Sequence, residues 1–595
     1  MLRYLIFRRS LLPAVLALLL LLSAGLAAAD NYRHSSEGRV VAVGDIHGAF
    51  DELVAVLRGT GLIDAELRWT GGTTHLVSVG DLLHRGDYGR QVMDLVMRLQ
   101  REAAEAGGAV HVILGNHEVM SLTGDLRYVS AGDYAQFGSD APPGLPAGYL
   151  ERRAAFAPDG EYGRWLLELP FAIVVDDTLF VHGGLSERLR GLTLEEINES
   201  SRRDVRRFAE GWHALLDTGL LGDGDDFDDV RARAAELARG RGDARLRSVG
   251  ADITAALDGL PFLPDGPLWY RGSARCHPLV ETDAIDAVLD KVGARRVAIG
   301  HTPTNDRRIT SRKDGRVLLL DIGMNTAVYQ GRPAALVIED GVLRAWDLVE
   351  GEIEIEAEER RIWNRPFGMS DAEIEAFLRA AAVTAMEPLP GSADGRRLAT
   401  LELEGRRLGA VFNARDTSPG LQNGRWTRSS ERADRYVHEV AAYRLDRLIG
   451  LDMVPVTVAR QIGEESGALR LWIEDGFSEH ERQARQIPFR GDCDLRAQYE
   501  LMGVFDLLIL NPSPQLGLLR YDRRWTLWLM DQSRAFGTSG DIAAMLRRSG
   551  VEVGPQLAEA LERVTPEQAE ILAEHLHRRQ VQAVVDRASR LREQR

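Results

Sequence analysis

The stretch Arg39-Val40-Val41-Ala42-Val43-Gly44-Asp45-Ile46-His47-Gly48 decides how the first half of this chain is read. Val40 to Val43 is an aliphatic run of strand length, and the glycines with an aspartate and a histidine end it sharply. Phe50, Leu53, Val54 and Leu57 then follow at helical spacing. Outward from there the pattern repeats. Thr74 to Val79 reads as a second strand, Val92, Leu95, Val96 and Leu99 mark a second helix, and Ala109 to Leu114 is a third strand. A β-α-β-α-β order implies parallel strands with helices on the faces. The crevice beyond the carboxyl ends of such strands is where ligands bind.

Later strand candidates are Thr178 to Val181, Arg296 to Ile299, Val317 to Leu320, Ala334 to Ile338 and Val342 to Ala345. They extend the same sheet or build a partner for it. Between them, Ser186 to Leu260 is charged and helical in pattern. Its acidic loop, Asp223 to Asp229, lacks the spacing and glycine of a calcium-binding hand and reads as a solvated connector. A boundary falls around Glu350 to Pro366, and a helix, Asp371 to Ala382, opens the C-terminal part of the chain.

Five motifs sit where five of these runs end: Gly44-Asp45-Ile46-His47-Gly48, Gly80-Asp81-Leu82-Leu83-His84-Arg85-Gly86, Gly115-Asn116-His117-Glu118, His182-Gly183-Gly184 and Gly300-His301. They offer Asp45, His47, Asp81, Asn116, His182 and His301 to one spot. Carboxylate, imidazole and amide oxygen together suit manganese, iron or zinc better than calcium. Six ligands call for two divalent ions. A carboxylate such as Asp81 can bridge them, and a water shared between two cations is a hydroxide nucleophile near neutral pH.

These motifs resemble the calcineurin-like metallophosphoesterases of the phosphoprotein phosphatase superfamily, and within it the bacterial Shewanella-like phosphatases. The resemblance runs from about Arg39 to Val349. It is carried further by the stretch from Leu114 to Tyr128, by Gly160-Glu161-Tyr162-Gly163-Arg164-Trp165 and by Gly300-His301-Thr302-Pro303-Thr304. It implies an α/β fold, a β-sandwich flanked by helices. It also implies Asp45, His47 and Asp81 on one metal ion, and Asp81, Asn116, His182 and His301 on the other. His117 would be the general acid, Arg85 would grip the phosphate, and Arg271 is a second candidate for that grip. Phosphatases of this kind commonly carry an aspartate where this chain has His84, so the partner of the acid histidine is changed here. The expected substrate is a phosphorylated protein or peptide carrying phosphotyrosine, phosphoserine or phosphothreonine. The alternatives are a dinucleoside polyphosphate hydrolase and an exported binding scaffold without activity.

From about Asp371 onward the sequence resembles an atypical kinase-like fold of the Golgi secretory-kinase and phosphoinositide-kinase type, a mixed α+β domain. Gly409 to Phe412 resembles the nucleotide-lobe strand, Glu439 the helix glutamate and Asp531 the metal-binding aspartate. Asn413 stands where the family has its strand lysine, and Ser513 and Leu518 stand where it has a catalytic aspartate and a metal-binding asparagine. Phosphoryl transfer depends on those groups, so the expectation is a pseudokinase.

The remaining expectations come from composition and the ends of the chain. The 595 residues are 45% hydrophobic and 27% charged, enough for two large domains, placed at 30–355 and 365–595. A net charge of -16 leaves no broad basic surface for nucleic acid. Residues 1–29 read as a secretory signal, with Arg3, Arg8 and Arg9 before the apolar run Leu11 to Leu22 and then Ala27-Ala28-Ala29. That implies export, to the periplasm, or anchoring at a membrane if the segment is retained. Cys276 and Cys493 are the only cysteines; they read as ordinary thiols in different domains, a bridge between them being possible in principle but not one that spacing supports.

Overall fold

Fully buried parallel strands need apolar side chains on both faces, and the short aliphatic runs meet that need in two stacked sheets. The strands, in chain order, are β1 (Arg33–His34), β2 (Arg39–Val43), β3 (His75–Ser78), β4 (Ala109–Val112), β5 (Ala172–Val175), β6 (Thr178–Val181), β7 (Arg296–Ile299), β8 (Thr310–Arg312), β9 (Val317–Leu319), β10 (Ala334–Glu339), β11 (Val342–Asp347) and β12 (Gly351–Glu354). One sheet has the order β12-β11-β10-β2-β3-β4, the other β1-β5-β6-β7-β9-β8. β2, β3 and β4 are parallel neighbours. The helices α1 (Phe50–Gly59) and α2 (Gly89–Glu105) make the two crossovers. Of the later runs, β10 and β11 extend this first sheet by antiparallel pairing, while β6, β7 and β9 build the second.

The inner faces interleave Val40, Ala42, Val77 and Val79 with Ile173, Phe180, Ala298 and Leu318. The outer face of the first sheet packs Val41, Val43 and Leu76 against Leu53, Val56, Val92 and Leu99 of α1 and α2. The outer face of the second packs Leu179 and Val297 against Ile197, Ile285 and Val288 of covering helices. The result is a four-layered sandwich, helices outside and sheets within. Each fully buried aliphatic side chain contributes about 1.5–3 kcal/mol, so the strand ends are held by a rigid core.

The structure, a computed structural model, describes residues 31–593 apart from 142, 356, 358–364, 390–394, 418–432, 512–515, 550 and 552. The expected export signal and Ser513 lie outside the described residues. Among the described residues no helix is long and apolar enough to cross a membrane.

The chain divides into two compact units, one of residues 1–274 and 284–357, the other of residues 275–283 and 358–595. In the first unit the long insert forms the helices Leu194–Asp217, Phe227–Arg239 and Ala244–Ala256, with a small core of Phe208, Trp212, Val230 and Ile253. Its acidic loop ends in a helix cap, Asp226 accepting from the backbone N–H groups of Asp228 and Asp229.

The second unit has a five-stranded antiparallel sheet, ordered Ala382–Pro388, Arg397–Leu403, Arg406–Asn413, Glu465–Leu471 and Thr457–Ile462. The helix Tyr436–Ile449 packs Ala441 and Leu445 into the same core as Leu401, Ala410 and Phe412. The expected helix at Asp371 runs to Ala380, capped by Ser370, and stops where Ala381 turns extended and the chain enters its first strand. The cysteine reading is corrected here: Cys276 and Cys493 form a disulfide, their Cα atoms 5.4 Å apart. Both belong to the second unit, because residues 275–283 pack with it rather than with the chain that precedes them.

Candidate metal centre

Three of the five loops turn in conformations that side-chain-bearing residues rarely take. His47, Asp81 and His301 have φ of 50°, 54° and 63°, and His84 and Arg85 have φ of 70° and 67°. Such left-handed residues cost about 1–2 kcal/mol each and persist where surrounding structure fixes them. The loops also press together: a Cβ on Gly300 would lie 2.3 Å from Asp45 Oδ1, so glycine is required there for His301 to reach the centre.

The loops bring Asp45, His47, Asp81, Asn116, His182 and His301 together, every one buried. Each histidine is aimed by its far nitrogen or its backbone. His47 bonds Leu83 O through Nδ1 at 3.0 Å, which leaves Nε2 at 3.8 Å from Asp45 and 3.7 Å from Asp81. His182 bonds Val79 O through Nδ1 at 2.8 Å, and its Nε2 lies 3.0 Å from Asn116 Oδ1 and 3.3 Å from Asp81 Oδ1. The His301 N–H donates to Asp45 Oδ1 at 2.9 Å, while its Nε2 is buried without a hydrogen-bond partner. Second-layer bonds to histidine of this kind are those that orient metal ligands.

Donor atoms separated by 3–4 Å match atoms each about 2.1 Å from a shared ion. His47, Asp81 and His117 form one group that could hold a metal, and Asp81, His182 and His301 another, so Asp81 belongs to both. The orphaned Nε2 of His301 and the mixed oxygen and nitrogen set fit divalent ions.

The charges need such ions. Burial, then Asp321 and Asp81, push the Asp45 carboxyl well above its ordinary range. Burial opposes ionisation of Asp81 too, but the surrounding histidines, His182 foremost, hold it well below. Burial lowers His47, and lowers His117 to about 3. His84 is also driven down, by burial and then by His117 and Arg152.

Several residues of the centre carry no assigned role in the sequence reading. Asp321, just after β9, is buried and hydrogen-bonded to Asp45. Glu118 accepts the backbone N–H groups of Asp81, Leu82 and Gly115 at 2.8, 2.8 and 2.9 Å, tying two metal loops together. Tyr128 and Tyr329 flank Arg85, with the guanidinium carbon 4.8 Å and 5.4 Å from their ring centres. Arg85 is thus stacked, and its buried Nε has no hydrogen-bond partner. His84, in the place of the expected aspartate, does meet His117, the expected acid: its Nδ1 is 2.9 Å from His117 Nδ1. Arg271 donates to the carbonyl of His301 and, at 3.2 Å, to Thr302 Oγ1. It braces the His301 loop with that nitrogen, where the sequence reading gave it to phosphate.

The second unit has its own buried polar cluster. Glu439 accepts from Asn413 Nδ2 at 2.8 Å and pairs with Arg396 at 3.4 Å and Arg470 at 3.5 Å. Asp531 pairs with Arg396 at 2.6 Å, and Arg470 donates to Gln532 Oε1 at 2.9 Å.

Residues 38–305 match the model of the calcineurin-like phosphoesterase family. Among curated proteins the chain is similar to Shewanella-like protein phosphatase 1 of Plasmodium berghei, 28% identical over 326 residues, which cover 54% of this chain and 76% of that protein. It is similar to Shewanella-like protein phosphatase 2 of Arabidopsis thaliana, 28% identical over 340 residues, covering 51% and 76%. Among solved structures it is similar to the cold-active protein-tyrosine phosphatase of a psychrophile, Shewanella sp., 25% identical with a TM-score of 0.40, covering 54% of this chain and 81% of that one. All six expected metal ligands, from Asp45 to His301, fall inside the span 38–305 that is similar to the calcineurin-like phosphoesterase family.

Proposed function

We propose that the first unit is a binuclear-metal phosphomonoesterase acting on phosphorylated protein or peptide. The observation that carries this is the convergence of six buried ligand side chains with Asp81 common to both donor groups. Asp45, His47 and Asp81 would hold one divalent ion and Asp81, Asn116, His182 and His301 the other. Two such ions supply Lewis acidity at the phosphoryl oxygens and lower the pKa of a shared water to about 7.

The chain's own residues do the rest. Arg85, stacked between Tyr128 and Tyr329, presents a planar fork to the phosphate oxygens. His117, 3.8 Å from Asp81 through Nε2, stands on the leaving-group side and assists departure of the alkoxide or phenoxide. Glu118 and Arg271 keep the loops in register. The Shewanella-like relatives are named as protein phosphatases, which supports a phosphoprotein substrate.

The test is the full chain loaded with manganese and assayed side by side on a phosphotyrosine peptide, a phosphoserine peptide and diadenosine tetraphosphate. Faster peptide turnover, abolished by chelation, is expected. Dominant tetraphosphate cleavage would replace this reading with a dinucleoside polyphosphatase, and metal-independent inertness would leave a scaffold.

We infer further that the second unit performs no phosphoryl transfer. Asn413 cannot supply a lysine's charge, and Arg396 already neutralises Asp531, the carboxylate a metal would need. Export to an oxidising compartment such as the periplasm is inferred as well, on the N-terminal sequence and the Cys276–Cys493 bridge.

A further inference from the structure

Behind His117 runs a file of buried polar side chains that the phosphatase reading does not use. His84 Nδ1 lies 2.9 Å from His117 Nδ1, and His84 Nε2 lies 2.8 Å from Ser121 Oγ. Ser121 in turn accepts from Arg152 Nη2 at 3.2 Å, and Arg152 Nε donates to Asp133 Oδ2 at 3.0 Å. All five residues are buried. They come from separate places: the second metal loop, the helix Asn116–Leu122, the helix Ala131–Ala135 and the helix Tyr149–Phe156.

Donor accounting fixes the direction of this file. A guanidinium has no acceptor, so Ser121 Oγ accepts from Arg152. The hydroxyl keeps one hydrogen to give. Helical serines and threonines commonly spend it on the carbonyl four residues back, as Thr123 does on Val119 O at 2.8 Å. Among the described residues Ser121 makes no such bond, and His84 Nε2 is its acceptor. A neutral His84 ring that accepts at Nε2 carries its hydrogen on Nδ1 and donates it to His117 Nδ1. A neutral His117 that accepts at Nδ1 carries its own hydrogen on Nε2. The opposite direction would leave the Ser121 hydrogen unplaced and turn a second N–H donor onto an oxygen that already faces a guanidinium.

The ion pair at the far end makes sense in this light. A buried Arg–Asp pair is weak support for stability, because desolvation offsets the attraction. Here Asp133 neutralises Arg152 while the ring of Phe156, 4.4 Å from the guanidinium carbon, holds it in place. What the pair achieves is a fixed donor aimed at Ser121.

We propose that Ser121, Arg152 and Asp133 are positioning residues that act through His84 to place the single hydrogen of the His117 ring on Nε2, facing the reaction. This deepens the phosphatase reading and rests on it for the role of His117. An N–H at Nε2 donates a hydrogen bond to the departing oxygen, which matters most for esters whose leaving group is strongly basic. A histidine thereby does in this chain what a carboxylate does in related phosphatases, but as a donor to the acid histidine instead of an acceptor from it.

Two measurements on the full chain test the proposal. In metal-free protein labelled with ¹⁵N-histidine, ring-nitrogen shifts should show His117 protonated at Nε2 and His84 at Nδ1; the opposite pair of tautomers overturns the proposal. With manganese bound, Ser121→Ala should lower kcat on phenyl phosphate about tenfold but on p-nitrophenyl phosphate by about twofold or less, with manganese content unchanged, and Ser121→Thr should restore the phenyl phosphate rate. Equal losses on both esters would reduce Ser121 to a packing role and end the idea. If the tautomers are as expected and neither ester is hydrolysed, the placement of the hydrogen stands and the proposed function is what fails.

Discussion

The two units solve one physical problem in opposite ways. Each buries carboxylates close together, which is costly unless positive charge meets them. In the second unit the chain provides that charge itself: Arg396 reaches both Glu439 and Asp531, and Arg470 stands on the other side of Glu439. In the first unit Asp45, Asp81 and Asp321 gather with no arginine paired to them among the ion pairs of the described residues, surrounded by histidines whose Nε2 atoms point inward. A buried carboxylate cluster therefore reads as a metal site only where the chain has left the positive charge out.

That contrast is broken most forcefully at Asp81. Asp81→Asn removes the ligand common to both donor groups, so turnover should fall about a thousandfold with loss of bound metal. Its ion-pair partners among the described residues are histidines, which can give up their protons when the carboxylate goes, so the metal-free variant should stay within about 1 kcal/mol of metal-free wild type. Metal analysis alongside denaturant unfolding checks both halves; full metal content in the variant would defeat the assignment. The matching change in the second unit should behave in reverse. Arg396→Met strands Asp531 and leaves Glu439 with Arg470 as its remaining arginine, and should cost about 3 kcal/mol in urea unfolding, while manganese content and phosphatase activity hold.

Asp506 shows a third answer to the same problem, protonation. Burial pushes it to about 7, and Asn511 Nδ2, at 2.9 Å, is its hydrogen-bond partner. Its folded value lies above the ordinary carboxylate value of about 3.9, so its stabilising contribution is complete below that value and is lost as pH rises through about 7. Stability of the second unit should then fall between pH 5 and pH 7 by about 2 kcal/mol at most. Asp506→Asn should flatten that slope, and an unchanged slope in pH-dependent unfolding would show the group to be ionised throughout.

The parts of the fold legible in the sequence are the local ones. The six candidate ligands follow five apolar runs, and β6 and β7 coincide with the runs read as Thr178 to Val181 and Arg296 to Ile299. Asp321 carried the same signal, since it comes directly after Val317 to Leu320, but without a neighbouring histidine the turn did not read as a ligand loop. β5 was missed because Ala172–Val175 follows a helix and Pro170 with Phe171 alone between, and no glycine and histidine motif ends it. Tyr128 and Tyr329 are single aromatics in loops, and only folding brings both onto Arg85. The file from His84 to Asp133 joins one loop and three helices, so spacing could not reveal it. Neither could it reveal a disulfide across 217 residues.

The smallest effect tests the comparison from the side of the arginines. Arg396 is consumed by carboxylates, whereas Arg85 is held by aromatic faces that stack on a guanidinium without using its N–H donors. No hydrogen bond from its side chain occurs among the described residues, so its Nη groups remain for phosphate oxygens. Arg85→Lys keeps the charge but loses the fork and the stacking, so kcat/KM should fall about tenfold, roughly 1.4 kcal/mol, with KM carrying most of the change. Arg85→Met should lose about tenfold more, because the charge goes as well. If lysine matched arginine, Arg85 would act as a point charge and the aromatic pair would be packing alone. If lysine and methionine failed alike, charge would contribute nothing, and the stacked plane would be what the phosphate site requires.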